Sequence, residues 1–113
     1  PSMQIDLKQE GNVTIISPLG RIDSSTSPAV ERACDEQIAR GSAKLLFDLA
    51  HVDYVSSAGL RVFLVAGKKA HKAGGRIALC NLQSTVREIL AIAGFDRILT
   101  TAASRGEGLA KLI

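Results

Sequence analysis

Leu45 to Phe63, LLFDLAHVDYVSSAGLRVF, is the stretch on which the fold turns. Leu45 to Leu49 is a compact, mostly apolar run and reads as an inner strand. Leu60 to Ala66 is again apolar at nearly every position. The polar tail Gly67-Lys68-Lys69-Ala70-His71-Lys72-Ala73 that follows makes a helix of roughly 15 residues the better reading there, starting near Ala58 and stopped by Gly74-Gly75. The seam between the two elements carries Asp53-Tyr54-Val55-Ser56-Ser57-Ala58-Gly59-Leu60, and the pattern reads Tyr54 to Ser57 as a loop at a strand end.

The same grammar extends in both directions. Met3, Ile5 and Leu7 alternate with polar neighbours, and Gly11-Asn12 separates them from the β-branched run Val13 to Ser17, which signals a hairpin. After Gly20-Arg21-Ile22-Asp23, Ser27 suits the cap and Pro28 the first position of a helix whose Val30, Ala33, Cys34 and Ile38 form one face, with Gly41 as its stop. Downstream, Ile77 to Cys80 reads as a strand. Ser84 or Thr85 opens a helix carrying Val86, Ile89, Leu90 and Ala93, and Gly94 ends it. Phe95 to Leu99 reads as the last strand. Ser104-Arg105-Gly106-Glu107 has the spacing of a capping box for a terminal helix bearing Leu109, Leu112 and Ile113. A hairpin followed by repeated strand-helix units implies one α/β domain over residues 3–113, a mixed sheet covered by amphipathic helices, with a site expected at strand ends.

Composition narrows the functions open to such a domain. At 113 residues and 46% hydrophobic, the chain supports one core and no second domain. Fourteen Lys plus Arg against 11 Asp plus Glu are interspersed, and Phe47, Tyr54, Phe63 and Phe95 lie mostly in apolar runs, which argues against a direct nucleic-acid partner. Cys34 and Cys80 fall in apolar patterns without ligand spacing, so neither a disulfide nor a metal is expected. No secretory signal and no apolar stretch near the roughly 20 residues of a spanning helix is present, so a cytoplasmic protein without membrane insertion is expected. Pro1-Ser2, ahead of Met3, reads as an expression remnant.

Ser57, placed at or next to a helix N-terminus, has two uses for the same backbone donors. Its hydroxyl can cap the free amides of the first turn, or an esterified phosphate can be received by those amides and the helix dipole, with Gly59 keeping that turn free of a β-carbon. Asp23 can cap local amides or lie beside the serine loop. Ser57 with His51 or His71 and an aspartate supplies hydrolase residue types, but no G-x-S-x-G elbow surrounds it. Two histidines and two distant cysteines lack zinc spacing, and no Gly-rich phosphate or dinucleotide loop occurs. Neither an enzyme nor a cofactor is expected.

Four segments together resemble the STAS family, and within it the small bacterial anti-sigma factor antagonists: GRIDSST (20–26), LLFDLAHVDYVSSAGLRVF (45–63), AGGRIALCNL (73–82) and VREILAIAGFDRIL (86–99). The resemblance implies a STAS-type fold and a protein that binds a serine-kinase-type anti-sigma factor, is switched off when that kinase phosphorylates it, and is restored by a metal-dependent serine phosphatase. The phosphoacceptor then falls on Ser57, with Ser56 as the alternative. Asp23 matches the acidic residue near the acceptor, and Gly59 and Leu60 match the glycine and leucine of the helix start. The family commonly has aspartate and Ser or Thr where this chain has Ser56 and Ala58. His51, Asp53, Tyr54, Ser56, Ala58, Gly59 and Leu60 form the expected partner-facing surroundings. The other role the resemblance admits is a non-phosphorylated docking or adaptor subunit of a sensory, transport or lipid-trafficking assembly.

Overall fold

A computed structural model describes residues 3–113; Pro1 and Ser2, read above as a remnant, lie outside the described residues. The strands are β1 (Ile5–Glu10), β2 (Val13–Pro18), β3 (Gly20–Ile22), β4 (Lys44–Asp48), β5 (Val52–Val55), β6 (Arg76–Cys80) and β7 (Thr101–Ala102). The α-helices are α1 (Ser27–Ala39), α2 (Ser57–Lys72), α3 (Ser84–Ile92) and α4 (Arg105–Lys111). β1 and β2 form the expected hairpin, Ile5 opposite Pro18 and Glu10 opposite Val13, with Gly11 at φ +59° in the turn. β2, β4, β6 and β7 then run parallel to one another, which with the antiparallel β1 gives a mixed sheet in the order β1-β2-β4-β6-β7.

β4 reads as a continuous apolar run because both of its faces are covered. Leu45, Phe47 and Leu49 enter the larger core with Val30 and Cys34 of α1, Phe63 of α2 and Leu90 of α3. Leu46 points the other way, into a smaller cluster with Ile15, Ala78 and Leu112 beneath α4. Phe47 and Phe63 meet edge to face at 5.1 Å and 73°, joining the central strand to α2. Cys34 and Cys80 are free thiols, and burial is the main cause that pushes them up to about 12 and about 11.

Two readings of the pattern are corrected. Phe95 to Leu99 is not a strand: Phe95–Arg97 is a single 3-10 turn after Gly94, which sits at φ +77°. Phe95, Ile98 and Leu99 are three and four residues apart, and the amides of Ile98 and Leu99 both donate to the Phe95 carbonyl, so the spacing is helical. The strand is the two-residue β7, three residues after the turn is over. The second correction lies in the seam. Val52–Val55 is not loop but β5, paired in parallel with β3 as a separate two-stranded ladder, Arg21 opposite Tyr54 and Ile22 opposite Val55.

Helix starts also differ in detail. Ser27 is the first residue of α1 and not its cap, whereas Ser84 opens α3 as expected. Ser27 Oγ donates to the Asp23 carbonyl, while the Thr85 hydroxyl donates to the Asp53 carbonyl at 3.1 Å and ties α3 to β5. Ser104 does cap α4, accepting from the Glu107 amide at 3.1 Å; Glu107 reaches back to the Ala103 amide, one residue before the usual reciprocal partner.

Asp48, at the end of β4, fastens α4 to the sheet. Its side chain is 8% exposed; Oδ2 accepts from Nε and Nη2 of Arg105 at 3.1 and 2.9 Å, and Oδ1 from the Ala50 amide and Asn81 Nδ2. Removing the guanidinium strands a buried charge. Arg105→Ala is expected to lower unfolding free energy by about 2–3 kcal/mol, whereas Lys69→Ala, whose pair with Asp35 is exposed, costs under about 1 kcal/mol, both read by urea denaturation.

Candidate functional site

The site is built where β5 becomes α2. The Ser56 amide extends the parallel ladder by donating to the Ile22 carbonyl at 2.9 Å, and the chain then turns into the helix. Ser56 has extended backbone, φ −83° and ψ 177°, and its Oγ accepts from the Gly59 amide at 3.4 Å. The capping serine is therefore Ser56, not Ser57. One residue decides this, because only the residue still in the strand conformation can aim its hydroxyl back along the helix axis. Ser57 is the first helical residue and is exposed. Its hydroxyl makes no hydrogen bond among the described residues.

Gly59 has a different task from the one the pattern gives it. A β-carbon there would lie 2.7 Å from Val55 Cγ1, 2.8 Å from the Ile22 carbonyl oxygen and 2.9 Å from Ile22 Cγ2. The glycine faces inward and lets the first turn of α2 rest on the β3–β5 ladder. Leu60, 6% exposed, continues that contact into the core.

The ladder also brings Asp23 to the serines. Asp23 and Ser56 each follow one member of the Ile22–Val55 pair, so residues 33 apart in sequence leave the ladder side by side. Asp23 Oδ1 accepts from the amide and hydroxyl of Ser25 at 2.9 and 2.7 Å and from the Thr26 amide at 3.3 Å, while Oδ2 faces Arg21 Nε at 3.6 Å. Asp23 thus caps local amides in the turn before α1, and the ladder sets it next to Ser56 in register. The bonds from Ser25 are the chief cause that holds its carboxyl below the usual aspartate value, with Thr26 and the Arg21 charge adding to them. Arg21, which the sequence pattern does not single out, also stands 4.4 Å over the Tyr54 ring and so couples β5 to Asp23.

The remaining candidates divide by exposure. His51, just before β5, and Asp53 and Tyr54 within it are exposed; the His51 carbonyl accepts from the Gly20 amide at 2.8 Å. Ala58 is half-buried and lines a groove of about 360 Å³ between the starts of α1 and α2, together with Ser27, Glu31, Arg61, Val62 and Val65. Arg61 is a second residue missed in the pattern; its signal is its position four residues after Ser57. Among the described residues no metal-holding cluster of His, Cys, Asp or Glu occurs, and no helix is long and apolar enough to cross a membrane.

Residues 4–108 match the STAS domain family, and the chain belongs to it. BtrV of Bordetella bronchiseptica, provisionally named an anti-sigma factor antagonist, is 33% identical over 91% of this chain and 89% of its own length. The fold is similar to that of an anti-sigma factor antagonist from Mycobacterium paratuberculosis, with a TM-score of 0.87 and 22% identity over 97% of this chain and 93% of the other. It is also similar to the Bacillus antagonist SpoIIAA in its unphosphorylated form, with a TM-score of 0.80 at 17% identity over 96% and 95% of the two chains. The phosphorylated form of SpoIIAA matches with a TM-score of 0.71 at 16% identity over 96% and 98%.

Two outcomes follow from the geometry. Gly59→Ala must push the helix off the ladder and is expected to cost about 1–3 kcal/mol in urea denaturation, whereas Gly67→Ala in the same helix, where an added β-carbon meets nothing closer than 3.6 Å, is expected to gain about 0.5–1 kcal/mol. Asp23 has a folded pKa below its unfolded value near 3.9, so its contribution is present above that value and disappears as pH falls through the lower folded one. Asp23→Ala is accordingly less stable than the parent at neutral pH, with the difference closing on acidification below about pH 4 in parallel denaturation series.

Proposed function

We propose that this protein is an anti-sigma factor antagonist that binds a serine-kinase-type anti-sigma factor through the β5–α2 seam and is switched off by phosphorylation of Ser57. The observation that carries the reading is the division of labour between the two serines. Ser56 caps α2, and Ser57 stands exposed on the helix's first residue with its hydroxyl uncommitted. The N-terminus of α2 also lacks an acidic residue in its first turn, while Lys69, His71 and Lys72 sit in its last. The negative end of the dipole is complemented and the positive end is not, so an anion at Ser57 is favoured there.

In the modification, the γ-phosphoryl of ATP passes to Ser57 Oγ, the hydroxyl proton leaves to a base of the kinase, and ADP departs. A metal-dependent phosphatase reverses it by hydrolysis, releasing inorganic phosphate. The phosphate adds about 1.5 to 2 negative charges to a surface that a partner reads as neutral serine. Asp23, kept ionised by its hydrogen bonds, adds a fixed negative charge beside the serines, and with His51, Asp53 and Tyr54 it completes the face offered to the kinase. A penalty of about 3 kcal/mol for meeting that dianion weakens the complex more than about 100-fold. The function is binding and release in the cytoplasm, with no reaction catalysed by this chain.

The test is intact mass after incubation with ATP and the serine kinase encoded beside the gene. A gain of about 80 Da that is lost in Ser57→Ala and kept in Ser56→Ala is the expected result. Gain lost in Ser56→Ala alone moves the acceptor by one residue. No gain in any form, with tight binding to a larger assembly, returns the chain to the adaptor role.

A further inference from the structure

Arg61 is an exposed cation with no ion-pair partner among the described residues, and it is the one cation lining the α1–α2 groove. Arg21 is held by Asp23 and Tyr54, and Lys69 by Asp35 at 2.9 Å and Glu31 at 3.6 Å. Nothing on its own element can neutralise Arg61, because the chain contains no Asp or Glu from Tyr54 through Arg87. Two carboxylates approach from neighbouring elements. Glu31 of α1 lines the same groove but pairs with Lys69, and Asp23 beyond β3 is taken by Ser25, Thr26 and Arg21.

Ser57 and Arg61 are four residues apart within α2, so they stack on one face with β-carbons about 5–6 Å apart. Helical side chains lean toward the helix N-terminus, which carries the long Arg61 side chain back over Ser57. We propose that Arg61 is a built-in clamp for a phosphate on Ser57, and that modification draws its guanidinium out of the α1–α2 groove. This rests on Ser57 being the phosphoacceptor. The guanidinium fork takes two phosphate oxygens, and the free amides of the first turn face the rest. Phosphorylation then changes the partner-facing surface twice: a dianion appears at Ser57, and the one unpaired cation of the groove turns to meet it, leaving Glu31 as the charge the groove presents. The switch reads as a change in the pattern of charge and not only in its amount.

The test installs phosphoserine at position 57 of the full chain during translation, so that no kinase is needed, and follows the second phosphate ionisation, near pH 6, by phosphorus NMR at low salt. Arg61→Gln is expected to raise that ionisation by on the order of half a pH unit, about threefold in proton affinity, and Arg61→Lys to raise it by less. Lys72→Gln removes the same charge at the far end of α2, about 22 Å away, and is expected to leave the ionisation in place. Coincident titrations of the parent and Arg61→Gln overturn the clamp, as does an equal shift in Lys72→Gln, which reduces the effect to net charge. Because the phosphate is placed synthetically, failure here is separate from failure of the kinase to modify Ser57.

Discussion

The seating of the first turn of α2 directly on the β3–β5 ladder is the contact on which the site depends. The Ser56 amide bonds to the Ile22 carbonyl, and three residues later Gly59 approaches the same carbonyl so closely that a single β-carbon has no room. That close approach fixes where strand conformation ends and helix begins. It therefore fixes which serine caps and which is displayed. With Gly59, Leu60 and Phe63 committed to the interior, the opposite face of the helix start is held toward solvent, and Ser57 and Arg61 go with it.

Polar groups at the strand ends divide into two kinds. Asp48 is almost fully buried and spends both oxygens on Ala50, Asn81 and Arg105, so it holds α4 in place. Asp23 is 28% exposed, uses one oxygen for the turn that precedes α1, and leaves the other toward an exposed Arg21. Burial separates structural carboxylate from surface carboxylate here, because a buried charge without full pairing is too costly to keep. The charge pattern along the chain works in the same direction. The acid-free run from Tyr54 to Arg87 leaves the positive end of α2 and its Arg61 uncompensated by anything local.

Most of the main sheet and all four helices were legible, since β2, β4 and β6 are short apolar runs and each helix has a stripe at three- and four-residue spacing, closed by glycine in the first three. What escaped were elements whose existence depends on a distant partner. β5 is only Val52–Val55, with Val52 and Val55 buried and Asp53 and Tyr54 exposed, a spacing that carries no alternation. It is a strand because Gly20–Ile22 lies alongside. The misplaced last strand had the opposite cause: Phe95, Ile98 and Leu99 carried a helical spacing in a run too short to declare it.

Local chemistry in the chain was enough to determine an inner strand at Leu45 to Leu49, a helix beginning near Ala58 and a hydroxyl at its start, because these follow from spacing over a few residues. Tertiary structure alone decided the rest. It made Ser56 the cap, turned Gly59 inward, and set Asp23 beside serines more than 30 residues away. The physical reason is that a parallel ladder joins residues through space that no local pattern encodes, and only the close packing of helix on ladder tells two adjacent serines apart.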